Sequence, residues 1–112
     1  MPSKTPEKRL GDILEQIARI ESHIVDMNYD TFVDDQKTLD AVERCLERIC
    51  EAARKVGDRY DEKYPDVQFN KLRDFGSMLR HDYDVIISDR IWEAATERLP
   101  ILKAAVRAEL DL

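Results

Sequence analysis

An all-helical fold, an antiparallel bundle of four to five helices, is what this sequence predicts, and three observations carry the prediction. Apolar residues recur at intervals of three and four through Leu10, Ile13, Ile17, Ile20, Ile24 and Met27, and again through Leu39, Val42, Leu46, Ile49, Ala53 and Val56. That period places side chains on one face of an α-helix. Glycine and proline are scarce, three and four among 112 residues, so few positions break the chain. Charged residues make up 38%, against roughly 25% in an average domain, which suits helices with solvated outer faces around one core. A chain of this length buries roughly 60–70% of its unfolded surface and fills a single domain, residues 1–112.

Taken in order, Thr5-Pro6-Glu7 supplies a cap, a proline at the first helical position and an acid in the first turn, so the first helix starts there. Leu14 widens its stripe, and Asn28 offers a stop. His23 lies beside the stripe with no second ligand one turn on, and takes no role. The stretch Tyr29–Asp34 predicts a turn with one helical turn, its two aromatics folding over the ends of the first two helices. A second helix opens near Asp35 and closes at Gly57, with Arg54 and Lys55 suited to its negative end. Its outer face alternates acids and bases from Asp40 to Glu51, most simply a solvated face with weak pairs one turn apart, with a dimer partner as the alternative neighbour of Glu51. Cys45 and Cys50, five apart on this helix, diverge by roughly 140° and read as buried free thiols rather than a disulfide or metal pair.

After a polar connector, Pro65-Asp66 predicts the start of a third helix running to about Tyr83. Asp84 to Ile87 reads as an extended apolar link, and Ser88-Asp89 as the cap of a fourth helix carrying Trp92, Ala95 and Leu99. Pro100 predicts a kink or break, because proline lacks the helical donor and clashes one turn back, with Leu102, Val106 and Leu110 continuing the stripe. Phe69, Phe75 and Trp92 are expected in the core.

A net charge of −6 argues against broad electrostatic binding to nucleic acid, which needs clustered Lys and Arg opposite phosphates. Residues 70–82 carry +1, with Lys71, Arg73 and Arg80 outweighing Asp74 and Asp82, against −7 for the rest of the chain. No apolar run approaches the ~20 residues of a membrane span, and the N-terminus lacks a signal-peptide core, so a cytoplasmic location is expected. Neither a glycine-rich phosphate loop nor metal-ligand spacing is present, and no cofactor is expected.

The chemistry concentrates in Arg73-Asp74-Phe75-Gly76-Ser77-Met78-Leu79-Arg80-His81-Asp82-Tyr83. At 100° per residue Phe69, Leu72, Gly76, Leu79 and Tyr83 share one face, while Arg73, Ser77, Arg80, His81 and Asp84 share the opposite one. An imidazole titrates near neutrality and serves proton transfer, whereas arginine keeps its charge and offers a planar fork to phosphate oxygens. Gly76 in mid-helix is unfavourable by ~1 kcal/mol relative to Ala, which close approach of another backbone would explain.

Phe75 to Tyr83, followed by Asp84-Val85-Ile86-Ile87, Ile91-Trp92 and Leu99-Pro100-Ile101-Leu102-Lys103, resembles the HepT-like branch of the HEPN proteins. Asp35 to Arg44 and Ile49-Cys50-Glu51-Ala52 resemble the same family upstream, so the similarity spans nearly the whole chain. The resemblance implies an all-helical homodimer that cleaves RNA without a metal, using an arginine followed after a short spacer by a histidine. It also implies pairing with a nucleotidyltransferase antitoxin, which adenylylates a tyrosine matching Tyr83. On this reading His81 is catalytic, Arg80 or Arg73 stabilises the phosphate, and Ser77 contacts substrate. The chain departs from the pattern at Gly76, where many relatives carry the arginine, and at Ser77, where asparagine is frequent. That departure keeps a second reading open, a helical interaction module that retains the fold without the nuclease activity.

Overall fold

The computed structural model describes residues 5–81 and 87–112, and within them the backbone alone at Arg80, His81 and Ile87. Among the described residues the fold is all-helical, as the periodicity predicts. Helix α1 spans Pro6–Ile24 and opens where the Thr5 carbonyl accepts from the Lys8 N–H at 3.1 Å. Its stripe of Leu10, Ile13, Ile17 and Ile20 is buried. The helix ends before Asn28, the expected stop, and Asn28 instead starts the next one. Its side chain accepts from the Thr31 N–H at 2.9 Å while Thr31 Oγ1 accepts from the Asn28 N–H at 3.0 Å, a reciprocal cap that exists only at a helix N-terminus.

Helix α2, Tyr29–Val33, is the short turn expected from the sequence. Its aromatics reach further than the ends of the first two helices. Phe32 is fully buried with its ring centroid 5.0 Å from that of Trp92, and the Tyr29 hydroxyl donates to the Asp89 carboxylate.

Helix α3, Gln36–Val56, packs against α1 on one flank and α4 on the other. Asp35 caps it, accepting from the Thr38 N–H at 3.1 Å and the Thr38 hydroxyl at 2.8 Å, and these bonds hold its carboxyl below the ordinary aspartate range. Gly57 closes it at φ 75°, ψ −149°, a region essentially confined to glycine that costs a side chain about 1–3 kcal/mol. Cys45 and Cys50 are buried and form no disulfide, and burial raises the Cys45 pKa.

The third long helix begins later than Pro65. Residues Pro65–Val67 form a separate 3₁₀ turn, and Gln68 takes the left-handed region at φ 56°, ψ 56°. A left-handed residue cannot continue a right-handed helix, so α4, Phe69–His81, starts only at Phe69, opened by the Gln68 carbonyl accepting from the Lys71 and Leu72 N–H groups at 2.9 and 3.1 Å. Tyr83 and most of the link expected at Asp84–Ile87 lie outside the described residues. Ile87 itself is already helical, so Ser88 and Asp89 lie within α5, Ile87–Glu93, rather than capping it.

The interruption expected at Pro100 takes the form of a widened turn just before it. A π turn, Ala94–Arg98, joins α5 to α6, Leu99–Glu109, and the Leu99 N–H reaches back to the Ala94 carbonyl. The wider turn relieves the clash between a proline ring and the carbonyl one turn earlier. The Thr96 hydroxyl donates to the Trp92 carbonyl at 2.8 Å within the same irregular stretch. Leu99, Leu102 and Val106 then continue the core as expected.

Replacing Phe32 with alanine is expected to lower stability by about 3–5 kcal/mol. It removes a fully buried ring and the contact that fastens α2 to α5. Urea denaturation followed by circular dichroism measures the loss, and native helicity before the transition shows that the fold persists.

Candidate active site

Helix α4 carries the candidate residues and packs against α3. Phe69 and Leu79 are 3% and 1% exposed, Gly76 is buried, and Leu72 is half-buried, so the predicted apolar face points inward. Ser77, on the predicted polar face, is exposed. It precedes His81 by four residues, so one turn of helix sets both positions on one side. Phe75 is only partly covered, less buried than a core residue.

Arg73 and Arg80 are the sequence candidates for the phosphate cation, and of the two the structure describes the Arg73 side chain. The Arg73 guanidinium donates to both Asp61 carboxylate oxygens, at 3.1 and 2.7 Å, and to the Gly57 carbonyl at 3.0 Å. Both side chains are mostly covered, with 22% and 30% exposed. The Arg73 fork lowers the Asp61 pKa, and the same bond raises that of Arg73. Arg73 thus fastens the connector after α3 onto the first turns of α4. It also stands eight residues, about 12 Å of helix rise, from His81. Arg80 and His81 sit together in the last turn of α4, where their backbone is described and their side chains are not.

Two features lay beyond sequence reasoning. Asp61 is twelve residues from Arg73 in a stretch without periodicity, so nothing in the spacing marks it as the partner. A groove of about 610 Å³ lies along α4, between it and the helical stretch from Arg90 to Leu102. Leu72, Phe75 and Met78 of α4 face it, with Leu99 and Leu102 opposite. Lys71, Arg90 and Arg98 stand on its rim. The half-polar, half-apolar stripe of Lys71, Phe75 and Met78 is the only sign of it in the sequence.

Arg73→Ala and Asp61→Asn are each expected to destabilise the fold by about 1.5–3 kcal/mol, the range for hydrogen bonds to charged groups. Because the folded Asp61 pKa is depressed, its contribution is complete above the unfolded aspartate pKa of ~3.9 and is lost as pH falls through the folded value. The stability gap between the native protein and Asp61→Asn should therefore close under acid. Denaturation midpoints measured from neutral pH down through that window check it.

The sequence profile of the family described as "Ribonuclease HepT-like" matches residues 13–109. Two Methanocaldococcus jannaschii proteins named as candidate RNases, MJ0125 and MJ1216, are each 34% identical over 103 residues, or 92% of this chain, covering 89% and 85% of their own lengths. A Thermococcus cleftensis protein named "Probable ribonuclease HepT" is 30% identical over 94 residues, covering 84% of this chain and 86% of its own. No solved structure matches. A profile spanning nearly every described helix, with relatives of this identity along nearly their whole length, places the chain in the HepT-like ribonuclease family, within the HEPN superfamily.

Proposed function

We propose that this ribonuclease is a metal-independent RNA endonuclease in which His81 moves the proton and Arg80 meets the phosphate. The observation that carries the reading is the engagement of Arg73 with Asp61 and Gly57, which leaves Arg80 as the arginine of α4 beside the histidine. Cleavage begins when a base takes the 2′-hydroxyl proton and the 2′-oxygen attacks the adjacent phosphorus. The bond to the 5′-oxygen breaks, that oxygen takes a proton from an acid, and a cyclic phosphate remains. An imidazole suits either proton role near neutrality, a contribution of about 10²- to 10⁴-fold. A guanidinium offset by one position on the helix suits the charge that gathers on the phosphate oxygens. Ser77, exposed one turn earlier, is a hydroxyl donor within reach of the same strand.

Two copies of α4 across a homodimer cleft would let two histidines divide the acid and base roles. The antitoxin reading follows from the family: a nucleotidyltransferase adenylylates Tyr83, two residues past His81, and the added phosphate and purine occupy the position that RNA needs.

His81→Ala is expected to abolish cleavage of RNA in chelator while leaving helicity unchanged. Arg80→Ala should slow turnover by about 10²-fold or more, whereas Arg73→Ala should lower the melting temperature and keep turnover per folded molecule. Cleavage by His81→Ala at the native rate removes the catalytic assignment and favours the interaction module that Gly76 suggests. Co-expression with a nucleotidyltransferase partner should add adenylate to the intact mass, an addition absent from Tyr83→Phe.

A further inference from the structure

The groove along α4 has no part in the reaction as derived above. We propose that it seats the nucleotide flanking the scissile phosphate, with the base against Phe75 and Met78 and the backbone phosphate over Lys71, Arg90 and Arg98. This inference rests on the ribonuclease reading and assigns that site a single-stranded substrate.

Four observations support an RNA base as the occupant. The first is position. Met78 faces the groove and precedes His81 by three residues, about 4.5 Å of helix rise, so the groove opens beside the proposed chemistry. The second is charge. The chain carries −6, yet Lys71, Arg90 and Arg98 collect on this one rim, opposed by Asp74 and Glu93. Among the described residues none of the three cations forms an ion pair with a carboxylate. Arg90 lies across the groove with Nη1 2.9 Å from Met78 Sδ, and Arg98 donates to the Asp66 carbonyl and to Gln68 Oε1 at 3.3 and 3.2 Å. Lys71 is exposed. The third is surface chemistry. Phe75 offers a partly uncovered ring between aliphatic walls, the arrangement on which unpaired bases stack with little sequence preference. The fourth is size, since about 610 Å³ is within the range of small-molecule sites and has room for a nucleobase with its sugar.

A base can lie on Phe75 only when it has left its own stack, so the groove selects single strands, loops or bulges over duplex. It also answers how an acidic protein holds a polyanion, through one short basic rim rather than a broad basic face.

The test uses the native protein and a short fluorescent 2′-O-methyl RNA, which lacks the nucleophile and stays intact, with 2-aminopurine as one base. Fluorescence anisotropy should show single-strand binding that Lys71→Glu and Arg90→Glu each weaken by about tenfold, with the salt slope falling by about 0.7 for each lost phosphate contact. Lys8→Glu on α1, away from the groove, should leave binding unchanged. Phe75→Leu keeps an apolar side chain there and should reduce the quenching of 2-aminopurine that stacking produces. If unmodified RNA is still cleaved while the groove variants bind like the native protein, the groove is not the seat and the ribonuclease reading survives alone. If the native protein neither binds nor cleaves RNA, both readings fall. If the charge reversals halve the mass seen by light scattering without altering RNA affinity, the groove is a contact between copies and the proposal is overturned.

Discussion

A helix packed on two sides must bury more than the usual apolar stripe, and the whole bundle depends on α3 meeting that demand. Val42, Leu46, Ile49 and Val56 give it bulk, while Cys45, Cys50, Ala52 and Ala53 are small enough to let neighbouring helices approach closely. α1 docks on one flank and α4 on the other. The remaining perimeter is charged, with Arg44 paired to Glu47 and Glu51 to Arg54 at the surface, pairs that contribute little to stability but keep that side in water. The position of α4, and so of its terminal Arg80-His81 pair, follows from what α3 buries.

Between these helices the connectors are held by polar contacts to other elements. Asp61 and Gly57 bind Arg73, while Lys63 and the Tyr64 hydroxyl both donate to Glu109, at 2.7 and 2.9 Å. These last contacts bring the end of α6 onto the stretch that leads into α4. Lys103 reaches Glu21 across from α1 at 3.0 Å. The loop ahead of the site helix is thereby gripped from both directions, which suits a reaction that tolerates little error in the placement of its groups.

The sequence made the long elements legible because their signal is repetitive. The stripes of α1 and α3 and the aromatic return of α2 follow from spacing and composition. What spacing could not show were single-residue departures from it. Gln68 adopts a left-handed conformation that its residue type does not advertise, and Phe69, Leu72, Gly76 and Leu79 continue a regular pattern straight past it. The π turn is equally silent, since Ile91, Ala95, Leu99, Leu102 and Val106 read as an ordinary stripe. At the site, the exposure of Ser77 and the burial of Gly76 follow from helical register. The engagement of Arg73 and the gathering of rim cations required tertiary contacts between segments that no local pattern links.

The π turn has a further consequence for how this chain tolerates insertions and deletions. A π turn holds one residue more than the α-helical turn it replaces, so it takes up that residue without turning α5 relative to α6. Removing one residue from Ala94–Arg98 would restore α-helical winding while leaving α5 and α6 in the same register, because the extra residue is taken up within the turn. Pro100 would then again meet a carbonyl one turn back. The extra residue and the proline are thus coupled, and a homologue that loses one is expected to lose the other.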